Sequence, residues 1–226
     1  MDMENFLYAA SELGGAFFVT LGLVVCVVPL AFLCGALACW ARQSRIRMIS
    51  KTADFYVLVF RSTPLLVQLF VLYYGLSQFE AIRQSFLWVV LRDPYFCAVL
   101  AMGVCAGAYV AEIMRGALAS VPKGVKEAGA ALGLSKIKTF CLITVPIAAR
   151  NALPAYGNEI IVTIKSTSLA STVTVMELTG TAKDLMSETY AVIEIFCMVA
   201  AIYLIINAIV MGVFKLIDMR YALVRN

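Results

Sequence analysis

Glu159, Thr163, Ser166, Thr167, Ala170 and Thr174 recur at i, i+4, i+7, i+8, i+11 and i+15 along an otherwise apolar stretch. On one α-helix those offsets form a single stripe carrying a carboxylate, several hydroxyls and one small side chain. Ile160, Ile161 and Ile164 take the opposite side. Such a stripe makes and breaks no bonds, but it can bind. A carboxylate attracts a cation, and amides and hydroxyls exchange hydrogen bonds with a polar solute. Glu159, with Asn158 and Thr163, suits contact with a cationic solute, and Ser166 and Thr167 continue the lining. The same stripe equally suits a hydrogen-bonded subunit seam, and Glu159 equally suits pairing with a buried Arg or Lys across a helix contact. Histidine is absent, and the seven cysteines form no Cys-x-x-Cys pair. No metal site and no catalytic residue is therefore expected.

Arg61 and Gln68 are further polar groups in apolar surroundings. Pro64 has no N–H to offer the Phe60 carbonyl. Arg61 is placed to satisfy freed carbonyls, or to pair with Glu159 or Glu112. Gln68, two turns on, is placed to face the same path. Glu112 has Arg115 at i+3, which predicts a local ion pair. Gly103, Gly107 and Ala111 form a small-residue stripe that predicts close helix packing, within the chain or across a subunit seam. A charge near the centre of a bilayer costs about 2.5–3.5 kcal/mol, so each such residue needs a reason to be there.

The elements that hold these residues are membrane helices. Of 226 residues 62% are hydrophobic, and the mean hydropathy is +0.91. A soluble domain of that composition would expose too much apolar surface. We expect a single all-α integral membrane domain over residues 1–226, with five transmembrane helices near 13–41, 55–79, 94–115, 152–172 and 191–215. Arg42, Arg45, Arg47 and Lys51 fall in one loop. Arg115, Lys123, Lys126, Lys136, Lys138 and Arg150 fall in a second, and Lys215, Arg220 and Arg225 in the tail. The other side holds Arg83, Arg92 and Lys183 beside several carboxylates. That bias places the N-terminus outside and the C-terminus in the cytoplasm. It also accounts for the net charge of +4 without nucleic-acid binding.

The loop at about 116–150 then faces the cytoplasm. Within it, Pro122 suits the first turn of a short helix, Ala128, Ala130, Ala131 and Leu132 favour helix, and Gly133 can end it. Read alone, this is either an ordinary surface helix or a compact key for a partner's cleft. The run Glu127-Ala128-Gly129-Ala130-Ala131-Leu132-Gly133, followed by Ile143-Thr144-Val145-Pro146, resembles the coupling-loop signature of binding-protein-dependent ABC importer permeases. Gly129 and Val145 are mild departures from it. Arg61-Ser62-Thr63-Pro64-Leu65, Ala108-Tyr109-Val110-Ala111-Glu112 and Ala152-Leu153-Pro154-Ala155-Tyr156-Gly157-Asn158-Glu159 resemble the polar amino-acid branch. That branch includes histidine, lysine–arginine–ornithine, octopine and nopaline permeases. The resemblance runs over about 16–221.

This resemblance implies a type I ABC importer permease fold in the bacterial inner membrane, which makes the outer side, with the N-terminus, the periplasm. It implies two ATPase subunits that carry ATP and Mg, a periplasmic solute-binding protein, and a sister permease as heterodimer partner, with a homodimer as the alternative. Pro122, Glu127, Ala128, Gly129, Leu132 and Gly133 then form the ATPase-coupling segment. The chain itself has no Gly-x-x-x-x-Gly-Lys-(Ser/Thr) phosphate loop and is not expected to be an enzyme. The solute expected is a basic amino acid or an opine. A secondary transporter subunit is the competing reading, but it would usually show internal repeats, and none is visible.

Overall fold

The computed structural model describes residues 2–222; Arg225, counted above in the basic tail, lies outside them. The described residues are helical, without strands. In chain order they form α1 (Met3–Arg42), α2 (Arg47–Ser62), α3 (Leu65–Phe70), α4 (Glu80–Arg83), α5 (Trp88–Leu91), α6 (Pro94–Ala119), α7 (Lys123–Ala131), α8 (Lys136–Thr139), α9 (Val145–Ser166), α10 (Leu178–Thr189) and α11 (Val192–Ala222). Three of them, α1, α6 and α11, are long and apolar enough to cross a membrane. The pair Arg47–Ser62 and Leu65–Gln78, bent by 107°, makes a fourth if counted as one span. The 22-residue α9, which carries Arg150, Glu159 and Lys165, is not among the four.

Helix ends follow local chemistry more than hydropathy. Asp93 caps α6 by accepting the N–H groups of Tyr95 (2.9 Å) and Phe96 (3.2 Å), with Pro94 in the first turn. The segment 116–150 is mostly helical rather than an open loop. From Lys136 the chain runs through α8 and a π-turn at Phe140–Thr144 directly into α9. Pro154 lies well inside that helix. The helix starts at Val145, with Pro146 in the first turn, where a missing N–H costs nothing.

The frame of the molecule is α1 laid against α6. The small stripe of α6 packs inside the chain. A Cβ on Gly103 would lie 2.5 Å from Leu30 Cδ2, and one on Gly107 would lie 2.6 Å from Cys34 Cβ. Gly35 of α1 answers from the other side: a Cβ there would lie 2.6 Å from Val110 Cγ1. The first half of α1 is buried against α9, α10 and α11 through Leu13, Ile164, Leu178, Leu185 and Ile195.

One buried polar knot ties these parts together. Glu177 is fully buried. It caps α10 by accepting the Gly180 N–H at 2.9 Å, and its second oxygen accepts the Tyr203 hydroxyl at 2.8 Å. Thr20 of α1 accepts the Leu178 N–H at 3.2 Å. A buried carboxylate is tolerable here because each oxygen has a donor.

Candidate solute site and coupling segment

The break between α2 and α3 is where the polar residues begin to converge. A residue before proline is pushed out of the helical region, and Thr63 adopts φ −112°, ψ 144°. Pro64 itself is extended, at φ −63°, ψ 135°. The chain therefore folds back, and Gln68 returns over the gap. Its Nε2 donates to the Phe60 carbonyl (3.1 Å), the Thr63 carbonyl (3.0 Å) and Thr63 Oγ1 (2.8 Å). The Cys105 thiol of α6 adds a weaker donor to Phe60 at 3.7 Å. Gln68, and not Arg61, satisfies the carbonyl that Pro64 frees. Arg61 reaches past it, with its guanidinium carbon 5.3 Å from the centre of the Tyr109 ring. It makes no ion pair with Glu159 or Glu112 among the described residues.

Replacing Gln68 by leucine should leave the Phe60 carbonyl short of its main donor. The expected cost is about 1–3 kcal/mol. For a chain of this size that is roughly 2–12 °C of thermal midpoint. The check is a melting curve of the purified protein in detergent; a midpoint within about a degree of wild type would show that the stitch is not needed.

Glu159 stands on α9, half-buried, on the side toward Cys105 and Arg61. Both lie within reach of its field. It forms no ion pair among the described residues of this chain. Asn158 beside it is exposed. The helical stripe ends sooner than its spacing predicts. The α-helix stops at Ser166 and the chain tightens to a 3-10 helix over Thr167–Val173. The cause is local: Thr167, Ser168, Ser171 and Thr172 each donate their hydroxyl to the carbonyl three residues back, at 2.6–2.8 Å. Thr163 and Thr167 are buried, and Thr167 also meets Tyr203 at 3.4 Å. Ser166 is half-buried, and Thr174 closes the segment with φ 67°.

A charge network that spacing alone does not reveal lies at the other end of α6. Glu112 holds Arg115 at i+3, as expected, but it also accepts Arg42 Nη1 of α1 at 2.7 Å. Arg42 in turn binds Asp54 of α2 at 2.6 Å. Four charges thus pin α1, α2 and α6 together.

Segment 120–144 projects from that same end. Pro122 precedes α7 as its cap rather than sitting in its first turn. Gly133 ends α7 in the left-handed region at φ 73°. The Leu134 N–H bonds the Gly129 carbonyl (3.1 Å) and the Gly133 N–H bonds Ala130 (3.0 Å), a Schellman closure. Gly129 is buried: a Cβ there would lie 2.8 Å from Thr139 Cγ2. Its missing side chain lets α7 lie close on α8. Glu127 and Ala128 are exposed, Leu132 is 80% exposed and Ile137 76%.

The profile of the family described as binding-protein-dependent transport system inner membrane component matches residues 27–223. The octopine transport system permease protein OccM of Rhizobium radiobacter is 51% identical over 78% of this chain and 72% of its own length. The arginine ABC transporter permease protein ArtM of Haemophilus influenzae is 42% identical over 72% of this chain and 71% of its own. Among solved structures, an amino acid ABC transporter with histidines superposes with a TM-score of 0.87 at 30% identity, covering 97% of this chain and 99% of that one.

Proposed function

The chain belongs to the binding-protein-dependent transport system inner membrane components, and from that premise we propose that it is the transmembrane subunit of an ATP-driven importer of a basic amino acid or an opine. The observation that carries the solute class is Glu159. It is a half-buried carboxylate without an ion-pair partner, beside a stitched helix break. A cationic side chain or an α-amino group supplies the missing counter-charge. Asn158 and Ser166 lie within one helical turn or two of it. Gln68 offers Oε1, a buried acceptor with no donor among the described residues. Thr163 and Thr167 shape the wall from behind rather than touching solute. The octopine and arginine permeases among its relatives carry the same chemistry in their names.

In this reading the chain crosses the inner membrane five times, with α9 as the fifth span and its N-terminus in the periplasm. Segment 120–144 lies in the cytoplasm. There Pro122, Glu127, Ala128, Leu132 and Gly133 present α7 to a cleft in one of two ATPase subunits, which bring ATP and Mg. A periplasmic binding protein delivers solute, and a similar sister permease completes the path. Closure of the ATPase pair on ATP favours one global state of the membrane helices over the other, and α7 passes that bias on. The test is uptake by proteoliposomes that contain the partner subunits, scanned over amino acids with and without ATP. Arginine-like solutes should enter only with ATP. Uptake driven by an ion gradient alone, or a preference for acidic amino acids, would overturn the proposal.

A further inference from the structure

Two adjoining cavities of about 520 Å³ and about 320 Å³ open between the end of α1, the end of α6 and the start of α9. Gln43, Leu118 and Phe140 wall both, so they form one cleft. Its larger part is apolar, lined by Phe32, Trp40, Met114, Leu153 and Tyr156 among others. Its smaller part carries Arg115 and Lys126. From Phe32 to Gln43 the α1 wall is about 16 Å long at 1.5 Å per residue. That is about half of a ~30 Å hydrocarbon core, the depth of one leaflet. A polar solute has nothing to bind along such a wall.

The mouth favours an anion. Lys126 makes no ion pair among the described residues, and Arg115 keeps half of its side chain exposed while it binds Glu112. Glu112 shares its charge with Arg42 as well, and neither Glu112 nor Glu127 lines the cleft. Trp40 lies at the rim, 73% exposed, the position an indole takes at a membrane–water interface. We propose that this cleft binds one anionic phospholipid, with an acyl chain along the apolar wall and the headgroup phosphate at Arg115 and Lys126. The reading of function above supplies only the leaflet, the cytoplasmic one.

Trp40 is also the probe. Trp88→Phe leaves it the one tryptophan of the full chain. This variant, reconstituted in phosphatidylcholine vesicles, is titrated with brominated phosphatidylglycerol and separately with brominated phosphatidylcholine. Quenching by the anionic lipid should saturate at a lower mole fraction. Each basic residue near the surface adds about fivefold in affinity, so Arg115→Gln with Lys126→Gln should raise the half-saturating fraction about 5- to 25-fold. Lys126→Gln alone, which leaves the Glu112 network intact, should raise it up to about fivefold. Ala149→Phe, which fills the cleft, should reduce quenching by both lipids. Equal quenching by the two lipids would overturn the proposal, as would selectivity that survives in the double variant. So would Trp40 that neither lipid quenches, the result expected if protein covers the cleft.

Discussion

Uptake of a cationic amino acid is expected to fall about ten- to a hundredfold in kcat/KM when Glu159 becomes glutamine. The substitution keeps shape and removes one negative charge. A hydrogen bond to a charged partner contributes about 1.5–3 kcal/mol, and each 1.4 kcal/mol is tenfold. Glu159 has no ion-pair partner among the described residues whose charge the change would release. Basal ATP hydrolysis by the assembled complex should stay near wild type, since Glu159 lies far along α9 from the segment proposed to meet the ATPase. The measurement is radiolabelled arginine uptake in proteoliposomes across a concentration series. Curves that overlay for wild type and Glu159→Gln would remove the residue from the solute path.

Gly133→Val should lower solute-stimulated ATP hydrolysis about tenfold while the chain still inserts in the membrane. Gly133 adopts φ 73°, and a β-branched residue there costs about 1–3 kcal/mol. The two hydrogen bonds that close α7 depend on that backbone, so the helix end unwinds or swings. Gly133→Asn supplies the control, because asparagine tolerates the left-handed region; it should keep most of the stimulation. Glu127→Lys, which reverses the exposed charge without touching the fold, should also reduce it. If the valine and lysine variants are stimulated as strongly as wild type, α7 is not the coupling element.

How much of this was legible in the sequence depended on whether a residue's effect is local. Gly133 could be read as a helix terminator from its type alone, because its role is set by its own φ. The small stripe of α6 could be read as a packing face, because three residues at i, i+4 and i+8 share one side. Pro64 could be read as freeing the Phe60 carbonyl. That Gln68 fills the gap could not, since it arrives there only after the 107° turn that Thr63 and Pro64 impose. The stripe from Glu159 to Thr174 was overextended for a different reason. Its hydroxyls suit a polar path and also bond their own backbone, and the second tendency won beyond Ser166. The Arg42–Asp54 and Glu177–Tyr203 contacts join residues distant in sequence, which no periodicity marks.

The three glycines between α1 and α6 leave that contact no slack. Leu30 and Val110 fill the space that a Cβ would need at Gly103 and Gly35, so sliding one helix along the other would press these side chains against the facing main chain. The ion web at one end and the small-residue seam along the middle therefore make α1, α2 and α6 a single stiff post. Whatever rearrangement opens and closes a path must be carried by the parts that lean on it, α9 and α11, and by the short helices that join them to the post.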